Sequence, residues 1–268
     1  MRKNFSEERR VRGASATHET AESLADDLIV GKNPVREALL SGRGINKILL
    51  AQGLKGSCCD EFIALAKERG ILWQFAERAK LDKIAAGQSH QGIAAFVAPV
   101  AYADLSEILQ FAADRREPPF LILPEEITDP HNLGAILRTA EAAGAHGVLI
   151  PKRRSAPLNA TVAKTSAGAV EYVKVAKIGN VSQTLRELKK QGLWVIGADA
   201  AGEHDFWSAD LTAPLVLVIG SEGAGLSRLT RENCDLLVKI PMRGRLNSLN
   251  AAAAASIFIY EILRQRTL

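Results

Sequence analysis

Beyond residue 27 the chain alternates between short, largely apolar runs and longer stretches in which apolar positions recur every three or four residues. The apolar runs read FLIL at 120–123, GVLI at 147–150, YVKV at 172–175, LWVIGA at 193–198, LVLVIG at 215–220 and LLVKI at 236–240. Helical patterns lie between them, such as 181–190, where Leu185 and Leu188 stand three apart. Apolar strands linked by helices predict an α/β domain with a mostly parallel sheet covered on both faces.

Upstream, Gly31-Lys32-Asn33-Pro34 reads as a turn with proline at a helix start, followed by the helical VREALL. Strands at 47–50, 71–75 and 92–97 and helices near 59–69 and 79–86 complete a smaller α/β unit over 28–98. Residues 99–118 read as a linker whose middle, 105–113, has helical spacing, and Pro118-Pro119 closes it. The larger domain then covers 119–268. Residues 1–27 are polar, with Arg and Lys crowded into the first half and acidic charges in the second. They predict a disordered tail, either a plain extension or a basic arm that touches nucleic acid.

Composition narrows the classes. Of 268 residues, 47% are hydrophobic and 24% charged, which excludes wholesale disorder, collagen and coiled coil. The mostly apolar stretch 251–263 carries Ser256, Tyr260 and Glu261. It falls short of the ~20 residues that cross a bilayer, so no membrane association is expected. Thirty-four Lys and Arg against thirty Asp and Glu leave a charge of +4, which permits a polyanionic partner without requiring one. Cys58, Cys59 and Cys234 form no C-x-x-C pair and the five histidines are scattered, so neither a disulfide framework nor a metal site is expected. The first 27 residues lack the apolar core of a secretory signal, and the expected location is cytoplasmic.

Three loops at predicted strand ends look chemical, because ligands of parallel sheets gather there. The first is T-D-P-H-N-L-G-A-I-L-R-T-A at 128–140. His131 or Asn132 suits the helix N-cap. Arg138 lies one turn after Gly134, whose bare surface points to a close approach by something; a solvated helix arginine is the alternative. The second is G-S-E-G-A-G-L-S at 220–227, whose glycines free the backbone to turn sharply and bring amides against a ligand. Its G-x-x-G-x-G spacing is neither the dinucleotide fingerprint nor a phosphate loop. The third is P-M-R-G-R-L-N-S-L-N at 241–250, in which Asn250 can cap the alanine-rich terminal helix.

Together, D-P-H-N-L-G-A-I-L-R-T-A, G-S-E-G-A-G-L-S and I-P-M-x-G-x-x-N-S-L-N resemble the three ordered motifs of the SpoU/TrmH family of RNA ribose 2′-O-methyltransferases. The segment K-T-S-A-G-A-V-E-Y-V-K-V-A-K-I-G-N at 164–180 is similar to the stretch between that family's first two motifs. The front unit, from I-V-G-K-N-P-V-R-E-A-L to S-H-Q-G-I-A-A-F-V, resembles the substrate-binding domain of its ribosomal-RNA members, a fold akin to eukaryal ribosomal proteins. The resemblance implies a C-terminal domain with a deep trefoil knot, a homodimer, and S-adenosyl-L-methionine as cofactor. Residue by residue, Asn132, Arg138, Glu222, Ser248 and Asn250 match the family's catalytic cluster. Ala198, Gly220, Ile240 and Leu249 match its cofactor contacts. Pro124, Ser221 and Ala251-Ala252 depart from the usual pattern, and none of these removes a catalytic side chain.

The implied activity is methylation of one ribose 2′-hydroxyl, of a guanosine, in 23S (large-subunit) ribosomal RNA. A transfer-RNA 2′-O-methyltransferase and a non-catalytic rRNA-binding assembly factor are the alternatives. A guanidinium is too basic to act as a neutral base, so Arg138 is expected to serve as a fixed cation beside the nascent alkoxide. Glu222 is expected to anchor Arg138 or a neighbouring amide. Lys152, Arg153, Arg154, Arg243 and Arg245 stand either as RNA phosphate contacts or as solvated charge.

Overall fold

The computed structural model describes residues 28–54, 56–202, 204–245 and 248–267. The expected tail at 1–27 lies outside them. The chain divides into two compact units between Pro99 and Val100.

In the first unit, β1 (Leu28–Val30), α1 (Lys32–Ser41), β2 (Ile45–Ala51), α2 (Ser57–Glu68), β3 (Leu72–Ala76), α3 (Arg78–Ile84) and β4 (Ile93–Val97) follow in order. The strands form a mixed sheet in the order β1-β4-β2-β3. Ile48, Leu50, Ile93, Phe62 and Leu39 are fully buried. β1 escapes prediction because three residues are too few to establish a period.

The second unit opens with α4 (Leu105–Asp114), inside the segment read as a linker. This segment belongs to the domain. Ile108 is fully buried in its core with Leu123 and Leu149. The missing side chain at Gly147 makes room, since a Cβ there would lie 2.7 Å from Ile108.

Then come β5 (Phe120–Pro124), α5 (Pro130–Ala142), β6 (Gly147–Pro151), α6 (Ala160–Thr165), β7 (Val175–Ile178), α7 (Val181–Lys190), β8 (Trp194–Ala198), β9 (His204–Asp205), β10 (Leu215–Ile219), α8 (Arg228–Asn233), β11 (Leu236–Lys239) and α9 (Ala251–Thr267). All seven strands pair in parallel, in the order β7-β6-β5-β10-β8-β11-β9. β5, β6 and β10 are buried at every position, which is why they read as unbroken apolar runs.

β7 falls three residues beyond its predicted start. Residues 172–174 leave the 3₁₀ turn at Ala169–Glu171 as turn and coil, and pairing begins with Val175 against Val148. The six-residue helices α6 and α8 and the two-residue β9 are too short to show periodicity.

At the far end of α9, Arg266 donates to the carbonyls of Pro118, Pro119, Leu211 and Ala213. The guanidinium stacks at 5.2 Å from the centre of the Phe120 ring. It thereby ties the terminal helix to the start of β5 and to the approach to β10. Among the described residues no helix is long and apolar enough to cross a membrane.

Candidate active site

β5, β10, β8 and β11 are neighbours, and their register aligns Pro124 with Ile219, Ile219 with Ala198, and Ala198 with Val238. Ala198, Gly220 and Ile240 therefore arrive at adjacent points on one carboxyl edge of the sheet. The chain steps outward from β5 to β7 and then returns to the other side of β5, so this edge contains the crevice where ligands of such sheets bind.

The loop after β10 turns back on itself. Ser221 and Gly225 each donate an N–H to the other's carbonyl, at 3.2 and 3.0 Å. Gly223 and Gly225, at φ 88° and 65°, supply the left-handed conformations that this closure requires. A Cβ on Gly220 would lie 2.5 Å from Gly225 O and Leu226 N, and closer still to the Gly225 carbonyl carbon. Backbone thus occupies the space a side chain would need. At this point of the edge the packing is backbone against backbone.

Three of the predicted catalytic residues meet. Glu222 Oε1 accepts from Asn132 Nδ2 at 3.1 Å, from Asn250 Nδ2 at 2.5 Å and from the Ala251 N–H at 3.2 Å. Asn250 Nδ2 also donates to Asn132 Oδ1 at 2.9 Å. Asn250 Oδ1 accepts from the N–H groups of Ala252 and Ala253, so the residue caps α9 as expected. The carboxylate stands at the positive end of that helix, where a negative charge is favoured. One residue from each of the three loops is therefore locked in a closed polar triangle.

Asn132 is free for this contact because the α5 N-cap is Asp129, whose side chain accepts the His131 N–H, with Pro130 at the first helical position. Neither His131 nor Asn132 is the cap. An Asp-Pro pair suits the junction better, since proline there gives up no needed N–H.

The other predicted residues lie outside the triangle. Arg138 is exposed on α5 and makes no hydrogen bond or ion pair with any described residue, so Glu222 anchors amides and not Arg138. Ser248 and Leu249 are exposed in the third loop. The close approach at Gly134 comes from within the chain: a Cβ there would lie 2.7 Å from Thr165 Cβ and 3.0 Å from Ser166 N.

Two buried carboxylates at the same edge went unnoticed in the sequence. Glu125, just beyond β5, accepts from Ser227 N at 3.0 Å, Ser227 Oγ at 2.9 Å and Thr230 Oγ1 at 2.5 Å. Asp199, just beyond β8, accepts from Ala201 N, and its Oδ2 lies 2.6 Å from Arg231 Nε in an ion pair too poorly aligned for a hydrogen bond. A carboxylate directly after an apolar strand was the available signal. Burial, then Asp235 and Glu125, push the Cys234 thiol up to about 12, which leaves it no role as a nucleophile at neutral pH. Among the described residues no cluster of His, Cys, Asp or Glu could hold a metal ion.

Residues 119–260 match the SpoU rRNA methylase family, and residues 28–103 match the RNA 2′-O ribose methyltransferase substrate-binding family. A Bacillus subtilis relative, YacO, named for the TrmH family of tRNA/rRNA methyltransferases, is 47% identical over 91% of this chain and 98% of its own length. The SpoU methyltransferase AviRb of Streptomyces viridochromogenes, solved with AdoMet, is 28% identical over 90% of both chains, with a TM-score of 0.72. An AdoMet-bound rRNA methyltransferase from Sinorhizobium meliloti is 25% identical over 92% of this chain and 90% of its own, with a TM-score of 0.75. The chain belongs to the SpoU/TrmH family of RNA methyltransferases.

Proposed function

We propose that this protein transfers a methyl group from S-adenosyl-L-methionine to the ribose 2′-hydroxyl of one guanosine in 23S rRNA. The observation that carries the chemistry is the Asn132–Glu222–Asn250 triangle, which holds all three motif loops in one arrangement at the carboxyl edge. A relative bound to AdoMet and the tightly turned glycine loop at the carboxyl edge support the cofactor. The match of the first unit to a substrate-binding domain supports a large RNA substrate.

S-adenosylmethionine supplies an electrophilic methyl group on a sulfonium sulfur. In this reading, main-chain groups near Ala198, Gly220, Ile240 and Leu249 hold it, with the polypeptide knotted around it. Arg138 remains cationic, since a free guanidinium has a pKa above ~12. It stabilises the negative charge growing on the 2′-oxygen, while an RNA phosphate takes the proton. Asn132 and Asn250 orient the loops, and Ser248 donates a hydrogen bond to the ribose. Among the described residues Arg138 has no hydrogen-bond or ion-pair partner, and it is available for this work.

The working form in this reading is a homodimer. On α9, Ile257 and Tyr260 form an apolar stripe, 36% and 50% exposed. The helix itself is joined to α5 by the Thr139–Ser256 hydroxyl contact at 3.0 Å.

The test is transfer of labelled methyl groups to RNA from cells lacking this gene, followed by mapping of the labelled nucleotide. Label at one guanosine of 23S rRNA is the expected result; label confined to tRNA overturns the substrate assignment. Arg138→Lys should largely abolish transfer while sparing cofactor binding, and near-normal turnover overturns the role of the guanidinium.

A further inference from the structure

The glycine loop at 220–225 lies between two buried carboxylates that reach the same short helix. β10 runs between β5 and β8, and each flanking strand is followed at once by an acid, Glu125 and Asp199, 6% and 7% exposed. Glu125 grips the start of α8 through Ser227 and Thr230. Asp199 grips it one residue further on, through Arg231. The Arg231 guanidinium lies against Gly225, where a Cβ would stand 3.6 Å from Nη2.

Burying two carboxylates is costly unless each is fully engaged. Glu125 takes its donors from Ser227 and Thr230 at the start of α8, and Asp199 divides between the Ala201 N–H and Arg231 of the same helix, which directly follows the glycine loop. The loop's own closure is a single reciprocal backbone pair. Its start is fixed by β10, and its end is held by Leu226, buried in the core, and by α8.

We propose that Glu125 and Asp199 form a double clamp that sets the position of the Gly220–Gly225 main chain for S-adenosylmethionine. They are positioning residues that touch the loop only through α8. This inference rests on the cofactor site proposed above.

Thr230→Val separates the clamp from simple folding. It removes the Oγ1 donor to Glu125 but keeps the side chain's shape and the backbone N–H that Ser227 caps. Calorimetric titration with S-adenosylmethionine should show roughly fivefold weaker binding for Thr230→Val, and Thr230→Ser should restore it. Glu125→Gln, which removes the charge that the Ser227 N–H and the two hydroxyls donate to, should weaken binding by about tenfold. Affinity for deproteinised ribosomal RNA and the far-ultraviolet circular dichroism should stay as in the parent protein. The clamp is refuted if both variants bind cofactor within about twofold of the parent. It is equally refuted if RNA affinity falls in step with cofactor affinity, or if Thr230→Ser is no better than Thr230→Val.

Gly220→Ala serves as the control. If it loses cofactor while the clamp variants do not, only the clamp fails. If it too binds normally, the location of the cofactor site fails instead.

Discussion

Replacing Gly220 with alanine is the sharpest test of how the carboxyl edge is built. The added methyl would meet Gly225 O and Leu226 N at 2.5 Å, where ordinary contact begins at 3.4 Å. The opposing atoms are backbone and cannot rotate away, so the return of the loop must retreat by about 1 Å. That retreat breaks the paired Ser221–Gly225 hydrogen bonds. Two such bonds at about 0.5–1.5 kcal/mol each put the loss at about 1–3 kcal/mol, the same range as overpacking a core. For a domain of this size each kcal/mol lowers Tm by about 2–4 °C. A displacement of 1 Å in a binding loop costs on the order of 10²-fold in turnover.

Thermal melts, calorimetric titration with S-adenosylmethionine and labelled-methyl transfer read these three consequences. Gly223→Ala is the matched comparison. It carries φ 88° but has nothing within 4 Å of the added Cβ, so it should show only the conformational cost of about 1 kcal/mol. Should Gly220→Ala melt within about 1 °C of the parent and bind cofactor within about twofold, the loop is not packed as described and the reasoning fails.

Three further outcomes follow from other parts of the structure. Glu222→Gln keeps an acceptor for its three donors but removes the charge facing α9. It should cost about 0.3–1 kcal/mol of stability and slow methyl transfer, and an unchanged rate would show that the charge is idle. Arg266→Ala takes a donor from four backbone carbonyls, of which Pro119 keeps the Leu215 N–H and Pro118 is exposed, and should destabilise the second unit by about 1–3 kcal/mol in urea titration, with Arg266→Lys recovering only part. His146 accepts the Phe120 N–H at Nδ1 and faces Glu117 through Nε2. Its pKa is lowered from 6.5 chiefly by burial, against the pull of Glu117. The unfolded chain therefore takes up this proton first, and stability present above 6.5 is lost as pH falls from there to the folded value. Nuclear magnetic resonance titration of the ring should give a midpoint below 6.5, and one at or above it contradicts this picture.

Much of the architecture was legible in local pattern. Strands such as FLILP and LVLVI are covered on both faces, so burial writes them as continuous apolar runs, and the chemical loops stand directly after them. The capping role of Asn250 was equally local, because a helix N-terminus is satisfied by its own neighbours. The identity of the cap at Asp129, the onset of β7 at Val175 and the domain membership of α4 depended on competition among local options that only packing resolves.

What the chain could not reveal by itself was adjacency. Asn132 meets Glu222 across 90 positions and Asn250 across 118, because β10 inserts between β5 and β8. The buried partners of Glu125 and Asp199 follow from the same insertion. An apolar run records that a strand is buried but carries no record of its neighbours. Strand order is settled by the burial and hydrogen bonding of the whole sheet at once, and the site exists only where that order brings its loops together.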